Sequence, residues 1–360
     1  MAPSRSYDPS PTLMGDLAAD FVRMPETEAG QIGLSHYGIQ GTAERLSTEK
    51  DDTFRLTASD DRHYILKIAN PAEPEEEIAA QVALLEHLAF NAPTLPVPRV
   101  IPNHDGQSLP VVIDAAGQTR RMRLMSYLAG RPLDSTDTNG TEREKVGELE
   151  AALRLAMADF THPGCNRTVL WDVRNLALLQ PLLNEITNDS QRLALSGAMT
   201  RFLEMQPEIN QLRMQVVHND FSRSNIIVDH NAEKFVTGVI DFGDAVYTAI
   251  AIDVSTALLN QLPSRIDDPV RDNIFRYGYD LLRGYLRIAD LTQAEMWLLP
   301  HLVMGRIVAR TLITLWRARL FPDNETYILR NTHQGWAQLD WFLMRSPDEV
   351  SRSFISGFHQ

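Results

Sequence analysis

"VVHNDFSRSNIIVD", residues 216–229, sets a histidine, an aspartate and two asparagines between two apolar, strand-like runs. A surface turn accounts for the polarity of this break, but not for what stands around it. Sixteen residues after Asn225 comes "VIDFGD", with Asp241-Phe242-Gly243, and far upstream "YILK" closes an alternating apolar run on Lys67. A strand lysine, then D-x-x-x-x-N (Asp220 to Asn225), then D-F-G is the skeleton of a protein-kinase-like phosphotransferase. Each part has a chemical reason. A lysine fixed on a strand can clamp the phosphates of a nucleoside triphosphate, ATP or GTP. Asn225 and Asp241 offer the hard oxygens that Mg²⁺ prefers. Asp220 is then left to accept a proton from an attacking hydroxyl, help typically worth ~10²–10⁴ in rate. Singly, D-F-G reads as a strand-end turn and Lys67 as a strand residue running its stem along the surface. In order, and on the expected elements, they point to catalysis.

The elements around them follow from periodicity. Ala43–Leu46, Phe54–Thr57 and Tyr64–Ile68 read as three strands, and a helix over 75–89 places Ile78, Val82, Leu85 and Ala89 on one face. "APTLPVPRV" breaks it, and Val111–Ile113 and Arg121–Met125 read as further strands. At "YLAGRPLDSTDTNG", 127–140, the character changes, and helical patterns dominate downstream. They run over 141–160, with "TERE" as a capping box, then 172–188, 190–206, 249–261, 268–287, 292–320 and 325–344. Short strands interrupt them between 216 and 240. The expected fold is α+β and two-lobed: a flexible lead-in over 1–25 (with a short helical pattern at 13–23), a small β-rich N-terminal lobe over 26–126, and a larger, mainly helical C-terminal lobe over 127–360.

Composition narrows the partners. With 34 basic against 47 acidic residues, the net charge is −13, the wrong sign for nucleic acid or an anionic membrane. Cys165 is the only cysteine, which excludes an intramolecular disulfide and a cysteine-built zinc site. No apolar run approaches the ~20 residues of a membrane helix, and "MAPSRSYDPSPT" has no secretory apolar segment. A cytoplasmic enzyme, monomeric or homodimeric, is the expectation.

"VVHNDFSRSNIIV" with its histidine, "VIDFGD", the hinge "LMSYLAGRPL" and "LPVPRV" together resemble the aminoglycoside phosphotransferase and choline kinase-like superfamily, over roughly residues 30–345. "HYGIQGTAERLSTEKDDTFRL", "LWDVRN" and "ARTLITLWRARLFPDNETYILRNTHQGWAQL" are most similar to its hydroxylysine kinase-type branch. The resemblance implies nucleotide between the lobes, the base on the hinge backbone near Ser126 and Leu128, and phosphate-loop contacts from Ser47 and Asp52. It implies a helix glutamate partner for Lys67, placed on Glu77 or displaced to Gln81, and a buried Asp253 bonded to the catalytic loop. The chain departs from the pattern at Asn219, where glycine is usual, and in the glycine-free loop "STEKDD".

Other residues keep two readings. Asp244 is a second metal or substrate carboxylate, or a turn residue. His218 reads as a loop anchor. Asp172 caps a helix, or recognises a substrate ammonium or hydroxyl. Arg306 and Arg310, at i and i+4 on one helix face, hold a substrate carboxylate together or make structural ion pairs. An arginine pair suits a small hydroxylated amino acid better than a polycationic aminoglycoside. Homoserine, choline, ethanolamine or an aminoglycoside remain alternative acceptors, and a non-catalytic kinase-like binding protein the alternative class.

Overall fold

The computed structural model describes residues 21–46, 50–263, 266, 272–320, 328–329 and 332–360. Ser47 and residues 1–20 of the lead-in lie outside the described residues. The chain divides into two compact units. The first closes at Ala129, three residues beyond Ser126, and also takes in His162–Gly164; the second begins at Gly130.

In the first unit, α1 (Glu26–Tyr37) ends where Gly38 turns to φ 68°, a left-handed cap that suits glycine. Then come β1 (Gly41–Leu46), β2 (Asp52–Ala58), β3 (His63–Ile68), α2 (Glu75–Asn91), β4 (Val100–Ile101), β5 (Val111–Ile113) and β6 (Thr119–Ser126). They make an antiparallel sheet in the order β1-β2-β3-β6-β4, with β5 also on β6. Strand parity decides which side chains enter the core. Phe54, Leu56, Leu66, Ile68, Met122 and Leu124 pack with Met24, Ala29 and Ile32 of the chain around α1. The opposite face carries Thr53, Lys67 and Arg123, which stand directly across from one another in the register.

That parity corrects one expectation. Asp52 pairs with Ile68 and so faces inward with the core, not outward to a phosphate. Its fully buried carboxylate accepts hydrogen bonds from Arg120 at 2.7 Å, from the Met24 backbone N–H at 3.1 Å and from Arg45. Burial opposes the charge. The bonds from Arg45, Met24 and Arg120 outweigh it, holding the carboxyl below its usual range. Arg120 also donates to the carbonyls of Ala69 (2.8 Å) and Ile68 (3.0 Å), so Asp52 and Arg120 knit β2, β3 and β6 from within.

The second unit contains β7 (Arg131–Pro132), α3 (Gly140–Ala156), α4 (Asp189–Glu204), α5 (Gln206–Ile209), β8 (Met214–Val217), β9 (Ile226–Val228), β10 (Val236–Val239), β11 (Val246–Ala249), α6 (Ile250–Leu259), α7 (Gly278–Ile288), α8 (Gln293–Leu320), α9 (Thr332–Leu343) and α10 (Pro347–Phe358). α3 and α7 touch backbone to backbone: a Cβ on Gly147 would lie 1.9 Å from Leu281 O, and one on Gly284 1.9 Å from Glu144 O. Several sequence readings shift. The capping box at α3 is Asn139 with Glu142, not Thr141 with Glu144. Residues Val173–Glu185 form 3₁₀ turns around Pro181, whose missing N–H prevents a continuous α-helix. Of the helix expected over 268–287, residues 268–271 lie outside the described residues and 272–277 are not α-helical, so that α7 begins at Gly278; β11 and α10 were not anticipated.

The expectation that no segment matches a membrane helix also needs correction. α8, 28 residues long, holds an 18-residue window of mean hydropathy 1.4 and is long and apolar enough, but 83% of that window is buried inside the protein. It is the core helix of this unit and carries a buried polar contact, His301 Nε2 to Ser351 Oγ at 2.8 Å. Burial first, then nearby Arg201, pushes the His301 imidazole down to about 3. It is therefore neutral when folded and free to protonate when unfolded. The stability this carries is complete above about pH 6.5 and is lost as pH falls from there through about 3, about 2 kcal/mol of it by pH 5. Denaturation followed by tryptophan fluorescence at pH 7 and 5 is expected to show that loss in the wild type and not in His301→Gln. Equal losses in both proteins refute it.

Candidate active site

The two polar loops of the sequence motif meet because of how four short strands pair. β8 pairs antiparallel with β11, and β9 with β10. The loop 218–225 therefore runs from one small sheet to the other, and the turn 241–245 returns. Ile240 locks them together: its N–H donates to Asn225 O at 2.9 Å, and its carbonyl accepts His218 Nε2–H at 3.0 Å. The next residue is Asp241, so these two bonds fix the D-F-G turn against the aspartate–asparagine loop. His218 also accepts the Asp220 N–H on Nδ1 at 3.3 Å and stacks edge-on against Phe242. It is a loop anchor.

Asn219 and Asp241 have φ of 63° and 61°, left-handed conformations that glycine, asparagine and aspartate tolerate best. Asparagine in place of glycine at 219 thus keeps the required backbone. Its N–H donates to Asp253 Oδ1 at 2.8 Å, the supporting bond expected of that buried aspartate. Gly243 leaves room for Asp241, since a Cβ there would sit 3.2 Å from Asp241 Oδ1.

Asn225 Nδ2 donates to Asp220 Oδ2 at 2.7 Å and to Asp220 O at 3.0 Å, which orients the carboxylate and leaves the amide oxygen of Asn225 available. Asp220 is pushed up to about 6, by desolvation first and then by the Asp244 carboxylate, with Asp241 adding to the effect and Arg306 and His218 opposing it. A loop that gathers Asp220, Asp241 and Asp244 is short of positive charge, and a divalent cation supplies it. Among the described residues no three His, Cys, Asp or Glu side chains form a metal cage. Asn225 and Asp241 could offer a hard-oxygen pair of the open kind that Mg²⁺ completes with phosphate and water.

Around this loop the structure separates residues that looked equivalent. Arg306, buried on α8, donates to Trp171 O and, at 3.4 Å, to Asn219 O, so it clasps the catalytic loop by its backbone. Arg310 makes no carboxylate ion pair among the described residues; its one hydrogen bond goes to Gln338 Oε1 at 3.3 Å. Burial first, and then Arg306, brings its guanidinium down to about 10. Asp172 caps the turns at 173–185, accepting the Arg174 N–H at 2.9 Å, and is almost fully buried, the placement expected of the capping role. Arg167, which the sequence did not single out, donates to Gly243 O and holds the D-F-G turn from outside. Nothing local in "CNRTV" signals that role.

In the first unit, Lys67 Nζ lies 3.9 Å from Asp51 Oδ2. Of the two α2 residues considered as its partner, Gln81 is occupied by Arg123, whose guanidinium donates to Gln81 Oε1 at 2.9 Å; Glu77 is half-buried one turn earlier. Ser126 donates its N–H to Arg99 O and accepts the Arg99 N–H on Oγ, both at 2.9 Å. The Leu128 backbone makes no hydrogen bond among the described residues, leaving its N–H and C=O for a base.

A strand lysine in a small antiparallel unit and a metal-ready aspartate loop in a helical one define a phosphotransferase of the two-lobed, kinase-like α+β class. The APH phosphotransferase enzyme family matches residues 42–291, and the chain belongs to it. Hydroxylysine kinase of Mus musculus is 23% identical over 336 residues, covering 87% of this chain and 88% of that one. Homoserine kinase of Granulibacter bethesdensis is 29% identical over 286 residues, 77% of this chain and 82% of that one. Amicoumacin kinase hAmiN, solved with AMP-PNP, Ca²⁺ and Ami, superposes with a TM-score of 0.63 at 17% identity, covering 84% and 92%. The chain is thus a small-molecule kinase of this family.

Proposed function

We propose that this kinase transfers the γ-phosphoryl group of Mg²⁺-bound ATP or GTP to the hydroxyl of a small hydroxylated amino acid, with hydroxylysine the first acceptor to test. The observation that carries the acceptor class is Arg310: a cation on the helix that grips the catalytic loop, one turn from Arg306, with no carboxylate partner among the described residues. A half-buried cation whose surroundings already disfavour its charge gains from an anion that meets it, and the α-carboxylate of an amino acid is such an anion. The similarity to a hydroxylysine kinase and a homoserine kinase, each named for a hydroxylated amino acid, supports the same class.

Within this reading Asp220 accepts the acceptor's proton and Asn225 keeps its carboxylate aimed. Asn225 and Asp241 would hold Mg²⁺, which when bound neutralises phosphate charge. Lys67 would hold the phosphates, with Glu77 as its helix partner, and the backbone at Ser126 and Leu128 the base. Asp244, which ends the 242–244 turn and raises the Asp220 carboxyl, would add a further carboxylate for the metal or the substrate. Catalysis is positioning and electrostatic stabilisation, with no covalent enzyme intermediate.

A panel of hydroxylysine, homoserine, ethanolamine, choline and an aminoglycoside, each with ATP and GTP, tests the acceptor. Turnover is expected with the amino acids. Arg310→Met is expected to raise KM for them by about ten- to a hundredfold, the worth of a hydrogen bond to a charged group, with kcat changed less. Equal turnover of carboxylate-free acceptors, or an unchanged KM in the variant, rejects the amino-acid reading.

A further inference from the structure

The face of the first unit's sheet opposite its apolar core carries two largely buried cations side by side where one was anticipated. Lys67 on β3 and Arg123 on β6 are direct cross-strand partners, so their side chains leave the sheet on the same face. Both converge on one oxygen: Asp51 Oδ2 lies 3.9 Å from Lys67 Nζ and 3.8 Å from Arg123 NH2. Asp51 is held there by Thr53, whose hydroxyl donates to Asp51 Oδ1 at 2.9 Å. Charge-assisted bonds settle at about 2.7–2.9 Å, so neither contact with Asp51 is a close one. The other nitrogen of the Arg123 fork, NH1, is buried and has no hydrogen-bond partner among the described residues. Glu73 joins the group through Gln81, whose Nε2 donates to Glu73 Oε1 at 3.5 Å; burial, above all, raises the Glu73 carboxyl.

We propose that Arg123 is a second phosphate-binding cation beside Lys67, and that Asp51 occupies the pair until a nucleotide phosphate displaces it. The assignment rests on the kinase reading above. A phosphate group brings several acceptor oxygens to a place where one carboxylate oxygen now lies between two cations. It can therefore serve Lys67 and the unpartnered Arg123 nitrogen together, which Asp51 does not do. A planar guanidinium offers two donors to one phosphate, where a lysine offers a point charge. The competing role for Arg123 is structural, tying α2 to β6 through Gln81. That role treats all ligands of the lobe alike, whereas a phosphate contact separates ATP from adenosine.

Calorimetric Kd values for Mg²⁺-ATP and for adenosine, on the full chain and three variants, test this. Arg123→Gln is expected to weaken ATP by about tenfold or more and adenosine by less than about twofold, and Arg123→Lys to recover part of the loss. Asp51→Asn keeps an acceptor for Thr53 and removes the competing charge, so it is expected to tighten ATP several-fold and leave adenosine unchanged. It also guards against the case in which Arg123→Gln loses its fold. ATP and adenosine weakened equally by Arg123→Gln, ATP affinity unaltered in it, or ATP not tightened by Asp51→Asn each overturns the assignment while leaving the kinase reading in place. A folded wild-type chain that binds neither ATP nor GTP overturns both.

Discussion

Asp220→Asn is expected to bind Mg²⁺-nucleotide nearly as the wild type does and to lose transfer by about 10²–10⁴-fold. The substitution is isosteric. Asn225 Nδ2, now 2.7 Å from Asp220 Oδ2, still finds an oxygen to donate to, and the loop keeps its anchors at His218, Asp253 and Arg306. What disappears is the group that takes the proton from the acceptor hydroxyl. Single-turnover transfer together with nucleotide calorimetry reads the two effects apart. Wild-type turnover in this variant rules out Asp220 as the base. Loss of nucleotide binding in step with transfer shows instead that the carboxylate's main work is to hold the metal.

Arg120→Met is expected to cost the first unit about 3–5 kcal/mol, because it takes from the fully buried Asp52 carboxylate its only fully buried cation among the described residues and leaves it to the partly exposed Arg45 and Arg23. Combining it with Asp52→Asn is expected to restore much of the loss. The under-compensated charge is then gone, and Arg23 and Arg45, 44% and 33% exposed, can turn to water. All five tryptophans (Trp171, Trp297, Trp316, Trp336 and Trp341) lie beyond the first unit, so fluorescence is blind to this change. Amide hydrogen exchange in β2 and β6 is the suitable measurement. Protection unchanged in the single variant, or equally lost in the double one, contradicts the buried-pair account.

The reach of the sequence differs between these two cases. The placement of Asp220, Asn225 and Asp241 was legible because they stand on short loops between strands. A spacing of a few residues across a tight loop leaves little freedom in where side chains point, so order along the chain passes almost directly into geometry. Lys67 was legible for the same reason, as one position on an alternating strand. Asp52 was misread by one residue of parity. Asp51 and Asp52 are neighbours in a polar stretch, and only the register with Ile68 shows that one points outward to Lys67 and the other into the core. The 3₁₀ turns at 173–185 were taken for a helix because the leucines keep a helical spacing while Pro181 interrupts the hydrogen bonds beneath them.

By itself, then, the sequence determined the class of fold and the class of reaction, phosphoryl transfer to a small molecule, both of which rest on local pattern. Tertiary structure alone decided what the arginines do. Arg306 and Arg310 share a helix face and look interchangeable along the chain. Their difference comes from carbonyls 135 and 87 residues away, at Trp171 and Asn219, which take up Arg306, while Arg310 meets no carboxylate among the described residues. Arg123 gains its place beside Lys67 from strand pairing, and Arg167 its hold on the D-F-G turn from packing. A long cationic side chain meets whatever the fold carries to it, so its role is written in distant contacts that no local spacing encodes.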